Sequence, residues 1–262
     1  MGTELLRHGA SLPLELLNID RPSLVSEIHS AYRAAGADIL TTNTFGGNRF
    51  RLASHELTGR IRELNLAGAR LAHNHADGAL VAGSIGPSGL RQLPDEEDLR
   101  EGFGEQAAAL EEGGVDLFTC ETFGDVRELR AAVLGISRAS TRPIIAQMTY
   151  MPDGRTPAGQ TPAQVVQALS DLPINAIGVN CAVGKDTVER VMPALRQATD
   201  LPLSAFPNAG EPHLQAGATH YPLDPGAFTH LAQRLRPLVT ILGGCCGTTP
   251  AHIRALRSPG PM

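Results

Sequence analysis

Residues 238–250 read LVTILGGCCGTTP. An apolar run at 238–243 breaks at two glycines, two adjacent cysteines follow, and a threonine–proline pair opens a helix at once. Proline at a first helical position costs no hydrogen bond, because that N–H has no partner in a helix, and the preceding hydroxyl caps the turn. The unit is strand, polar turn, helix.

The same unit recurs upstream. Apolar runs at 37–42 (ADILTT), 79–85 (ALVAGSI), 115–121 (VDLFTCE), 143–149 (PIIAQMT), 176–181 (AIGVNC) and 201–206 (LPLSAF) are near-continuous. Such runs belong to parallel strands covered on both faces. Between them apolar residues return at helical spacing. Leu24, Ile28 and Tyr32 share one face, as do Leu57, Ile61, Leu64 and Leu71, and then Val126, Leu129, Val133 and Ile136. Thr161-Pro162 repeats the hydroxyl–proline cap, and Asp125 is placed to cap another helix. Gly36 and Gly114 fall where helices stop before the next strand.

Seven such units suit an open doubly wound sheet or a barrel. No strand is followed by GxGxxG or GxxxxGK[ST], which weakens the nucleotide-binding open sheet. Polar residues favour the barrel. Thr44, Glu121, Cys181, Asn208, Cys245 and Cys246 all fall at or just past the C-terminal ends of different strands, which converge on one mouth only if the sheet closes. The expected fold is α/β, a (β/α)8 TIM barrel lacking its first strand, with room for that strand only before Met1. Residues 1–262 are expected to form one domain, since barrels of about 250 residues are common and no linker interrupts the chain.

A formal charge of −5 argues against nucleic acid or an anionic membrane as partner. No apolar run reaches the ~18 residues of a membrane span, and the N-terminus lacks a secretory signal, so a cytoplasmic location is expected. The four cysteines then point to metal binding or catalysis rather than disulfides. Cys181 would end the sixth strand of eight and Cys245-Cys246 the eighth. Three thiolates can hold Zn²⁺ and leave a fourth position open, as catalytic zinc requires. Adjacent cysteines can equally be small buried hydrophobes, or a strained vicinal disulfide. Cys120 neighbours Glu121, so in a strand the two face opposite ways; with Glu121 at the mouth, Cys120 packs outward as core. His213 and His252 have no metal-ligand spacing and read as surface or packing residues.

With these residues in place, the chain resembles the homocysteine S-methyltransferase family. That family includes the homocysteine-binding half of cobalamin-dependent methionine synthase, betaine–homocysteine methyltransferases and S-methylmethionine-dependent enzymes. The matching stretches are MGTEL, GADILTTNTFGGNRF, GSIGPSG, GVDLFTCETF, AIGVNC, FPNAGEP and ILGGCCGTTPAHI, which span nearly the whole chain. The resemblance implies zinc on Cys181, Cys245 and Cys246, with the sulfur of homocysteine in the fourth position and methionine as product. It implies that Glu121, in CETF, binds the substrate's amino group, and that Thr44, in TNTFG, lines the amino-acid pocket. Asn208, in PNAG, would lie near the metal and ligate it when substrate is absent.

One departure stands out. Family members usually begin with a strand ending in Asp-Gly-Ala just before MGTEL, and that aspartate helps bind the amine. The expectation is that the chain's natural start lies upstream of Met1. TNTFGG and PNAG resemble the cobalamin-dependent branch, in which the methyl group would arrive on a partner corrinoid protein, for no DxHxxG cobalamin motif is present here. CETF and PNAGEP resemble the S-methylmethionine branch equally. Two other classes stay open: a homocysteine-binding module or partner subunit without turnover, and a zinc hydrolase, although three cysteine ligands suit a soft sulfur substrate better.

Overall fold

The computed structural model describes residues 1–184, 186–215 and 218–257. Its strands are β1 (Ile39–Thr41), β2 (Leu80–Ile85), β3 (Leu117–Phe123), β4 (Ile144–Met148), β5 (Ala176–Asn180), β6 (Leu203–Phe206), β7 (His213–Gln215), β8 (Ala218–His220) and β9 (Ile241–Leu242). Seven of them make one sheet in the order β1-β2-β3-β4-β5-β6-β9, every pair parallel. β7 and β8 form a separate antiparallel hairpin between β6 and the helix Pro225–Leu235. The architecture is a TIM-barrel-like α/β fold of seven strands, and β1 and β9 are its two edges.

Alternation along the strands sorts the two faces. Ala82, Leu117, Ile145 and Ala176 are buried together with Ile39 and Ile241 beside them, which makes an apolar floor inside the curl of the sheet. One step along, the outward residues Val81, Phe118, Ala146 and Val179 pack on Leu110, Leu129, Val133 and Leu195 of the covering helices. Each large side chain so buried contributes about 1.5–3 kcal/mol relative to exposure, and this outer layer is the larger of the two. Cys120 lies in it and is fully buried, as the alternation with Glu121 requires.

Two of the caps read from the sequence are formed, while the Thr249 hydroxyl meets the His252 ring. Thr161 and Gln164 make a reciprocal capping box, and the Asp125 side chain accepts from the Arg127 N–H. Gly36 and Gly114 take φ of 93° and 85°, a left-handed turn that ends a helix without a side-chain penalty. Three strands differ most from expectation, β1 being three residues rather than six. β9 is two residues rather than six, because only β6 pairs with it, at Ser204↔Ile241 and Ala205↔Leu242. β3 runs past Glu121 to Phe123, through an irregularity between Cys120 and Phe123 where Thr122 sits at φ 65°. The β7–β8 hairpin, with Leu214 exposed, had no counterpart among the apolar runs. Among the described residues, no helix is long and apolar enough to cross a membrane.

Candidate metal centre

Cys181 follows β5, Cys245 and Cys246 follow β9, and β6 lies between, paired with both. The chain leaving β6 serves as a template for the two cysteine turns. The Cys181 N–H donates to the Phe206 carbonyl at 3.2 Å and the Cys245 N–H to the Pro207 carbonyl at 2.9 Å. Asn208 then accepts from the Cys246 N–H through Oδ1 at 3.1 Å, while its Nδ2 donates to the Ala182 carbonyl at 3.5 Å. The Ala209 N–H closes the frame on the Cys246 carbonyl at 2.9 Å. From the other side, helix Gly2–Arg7 reaches the same turn: Gly247 N–H donates to Thr3 Oγ1 at 3.2 Å, and Arg7 donates to the Gly247 carbonyl at 3.1 Å. Gly247 is at φ 80° with the Tyr221 ring packed where a β-carbon would stand, so no other residue fits there. Cys181 itself is at φ 52°, a conformation that costs a residue with a side chain about 1–3 kcal/mol and persists only where its surroundings enforce it.

The result is three sulfur atoms all within 4.8 Å of one another, with Cys181 Sγ and Cys246 Sγ 3.7 Å apart. Tetrahedral Zn–S bonds of about 2.3 Å put sulfur atoms roughly 3.8 Å apart, so the trio fits a metal ion of that kind. Without one, the three thiols compete for ionisation. Hydrogen bonds from Cys181 and Cys245 hold the Cys246 thiol far below its usual range, and the same contacts together with burial push Cys245 up. Asn180, the last residue of β5, points Nδ2 at Cys245 Sγ from 3.8 Å and takes the Thr122 N–H on Oδ1 at 2.6 Å.

A cavity of about 650 Å³ opens beside these sulfurs, in the size range of small-molecule sites. Glu121 and Thr44 line it together with all three cysteines. Ser84 Oγ donates to Glu121 Oε1 at 2.5 Å. Enclosure of Glu121 away from water raises its carboxyl pKa above the usual carboxylate range, the Ser84 hydrogen bond opposing that rise only in part. Thr44 is fully buried, and its hydroxyl is occupied: it donates to the Ser84 carbonyl at 2.8 Å and lies 2.6 Å from the Thr42 hydroxyl. Asn208 is not among the lining residues; its amide holds the Cys246 turn. His252 is buried, with its ring between Thr249 and the Leu223 carbonyl, and His213 is an exposed hairpin residue. Ser84, Asn180 and Tyr221 carried no expectation of a role from sequence. Ser84 sits inside GSIGPSG, and Asn180 inside GVNC, one place before Cys181.

Residues 1–259 match the homocysteine S-methyltransferase family. The chain is 36% identical over 262 residues to the methionine synthase of Mycobacterium tuberculosis (strain ATCC 25618 / H37Rv), an alignment covering 92% of this chain and 22% of that protein. The methionine synthase of Mycobacterium leprae (strain TN) is 35% identical, with 92% of this chain and 21% of that protein covered. The chain thus spans about a fifth of the length of these relatives. Among solved structures, the metallated form of the homocysteine methyltransferase MmuM from Escherichia coli superposes with a TM-score of 0.83 at 25% identity, over 98% of this chain and 93% of that one. Its apo form gives a TM-score of 0.78. With the family match running over nearly the whole sequence and the fold in agreement, the chain belongs to the homocysteine S-methyltransferase family.

Proposed function

We propose that this protein transfers a methyl group to the thiol of homocysteine, giving methionine, and that the whole chain acts as one homocysteine-binding barrel. The observation that carries this reading is the convergence of three cysteine sulfurs and one carboxylate on a single cavity. Cys181, Cys245 and Cys246 would hold Zn²⁺, whose Lewis acidity keeps the substrate's sulfur ionised at neutral pH, where a free thiol with a pKa near 8.5 is mostly protonated. The protein then needs no general base. Glu121 receives the substrate's ammonium group, and the buried loop around Thr44 forms the wall beside it. The substrate sulfur forms a bond to the methyl carbon as the donor's bond to that carbon breaks, and the electron pair leaves with the donor. The thiol proton goes to solvent when the substrate binds.

The donor is a methylcorrinoid on a partner protein or a free methylsulfonium such as S-methylmethionine. Four free cysteines suit a reducing cytoplasm. Purified protein loaded with zinc and given homocysteine with each donor in turn is expected to form methionine with one of them. Homocysteine binding without methionine from any donor would support a binding module instead. Absence of both would contradict the proposal.

Asn208 offers a quieter test. Groups that orient metal ligands typically contribute 10–100-fold to metal affinity. Asn208→Ala removes the bond to the Cys246 N–H and should weaken zinc binding by about that factor, read by competition with a chelating dye. An unchanged affinity would show that the backbone bonds from Phe206 and Pro207 suffice.

A further inference from the structure

Thr119 lies two positions before Glu121 on β3, so both face the interior of the curled sheet. Its side chain is 1% exposed and lines the same cavity as Glu121 and the cysteines, yet its hydroxyl oxygen has no hydrogen-bond partner. A buried hydroxyl without a partner is costly, and such groups are rare unless something else binds them. Ser84 is its register partner on β2. The Ser84 main chain is fixed at both polar atoms, its N–H donating to Thr42 Oγ1 at 2.9 Å and its carbonyl accepting from Thr44 Oγ1 at 2.8 Å. That frame aims the Ser84 hydroxyl at Glu121 Oε1. The other carboxylate oxygen accepts no hydrogen bond among the described residues, so it is left for a ligand.

An ammonium group presents three N–H donors, and one carboxylate oxygen satisfies only part of them. We propose that Thr119 and Ser84 complete the amine subsite of the homocysteine pocket. Thr119 is the second acceptor for the substrate's ammonium, and Ser84 is a positioning residue that holds the Glu121 carboxylate with one oxygen free. The inference rests on the homocysteine reading and deepens it: the pocket selects an aminothiol over a plain thiol acid through three residues on two adjacent strands.

The test compares Thr119→Val and Ser84→Ala with the parent, each zinc-loaded and full length. The two ligands are L-homocysteine and mercaptobutyrate, the same thiol acid without the amine, and calorimetry measures both affinities. The parent should prefer homocysteine. In each variant that preference should fall about tenfold, the worth of one hydrogen bond to a charged group, while mercaptobutyrate affinity holds. Ser84→Thr should restore it. Removing an unpartnered hydroxyl should also leave the Thr119→Val melting temperature at or above the parent's, which a structural role for that hydroxyl would not. A preference unchanged in Thr119→Val, or an equal loss for both ligands, would overturn the proposal while leaving the homocysteine reading intact. A parent that binds neither ligand would overturn that reading and this inference with it.

Discussion

Cys246→Ser is expected to leave the protein folded, unable to retain zinc against a mild chelator, and at least about 100-fold slower in forming methionine. The magnitude follows from the role proposed for the sulfur. Changes behind a metal site already cost 10–100-fold, so loss of a ligand sets a larger effect. Cys246 also lies 3.7 Å from Cys181, so its removal takes away one corner of the sulfur triangle rather than a peripheral contact. Cys120→Ala is the control. Cys120 is fully buried on the helix side of β3, away from the cavity, and its replacement should keep both metal and turnover. Equal loss in the two variants would mean that general destabilisation, not metal binding, is being read. Elemental analysis and initial rates on the same preparations make the comparison.

Glu121→Gln should divide affinity from stability. Gln keeps the shape and the bond from Ser84 but removes the charge that faces the ammonium. Truncating one side of an enclosed charge pair costs 2–5 kcal/mol, so KM for homocysteine should rise on the order of 100-fold while kcat falls less. Stability should move the other way. Enclosure raises the Glu121 pKa in the fold above its value in the unfolded chain. A group of that kind contributes stability that is fully present below the unfolded carboxyl pKa and is lost as pH rises through the folded one. Above the unfolded carboxyl pKa the enclosed carboxyl group therefore burdens the ligand-free, metal-free protein, and Gln relieves it. Urea midpoints should be higher for Glu121→Gln than for the parent at pH 7 and should converge as pH falls below the carboxylate range. A lower midpoint at pH 7 would show that the carboxylate supports the fold.

Much of this site was legible in the sequence, for reasons that particular residues make plain. Cys181, Cys245 and Cys246 close apolar runs, and position at a strand's C-terminal end is what a parallel sheet converts into convergence on one mouth. The opposed faces of Cys120 and Glu121 follow from alternation alone. Ser84 and Thr119 were harder to see. Each is a small residue short of its strand's end, and although Thr119 shares the face of Glu121, only the register between β2 and β3 sets Ser84 beside it. Asn208 was placed near the metal by resemblance, and in the structure its amide ties the Cys246 turn to Ala182. β7 and β8 were not legible because each is three residues long and pairs only with the other. β9 was overestimated because an apolar run records burial, whereas a strand also needs a partner for its backbone.

Zinc-edge X-ray absorption on the zinc-loaded protein, recorded with and without homocysteine, tests the centre directly. The account predicts three sulfur neighbours from Cys181, Cys245 and Cys246 without substrate, and a fourth at about 2.3 Å once homocysteine is added. A sulfur count that does not change when homocysteine binds would contradict it.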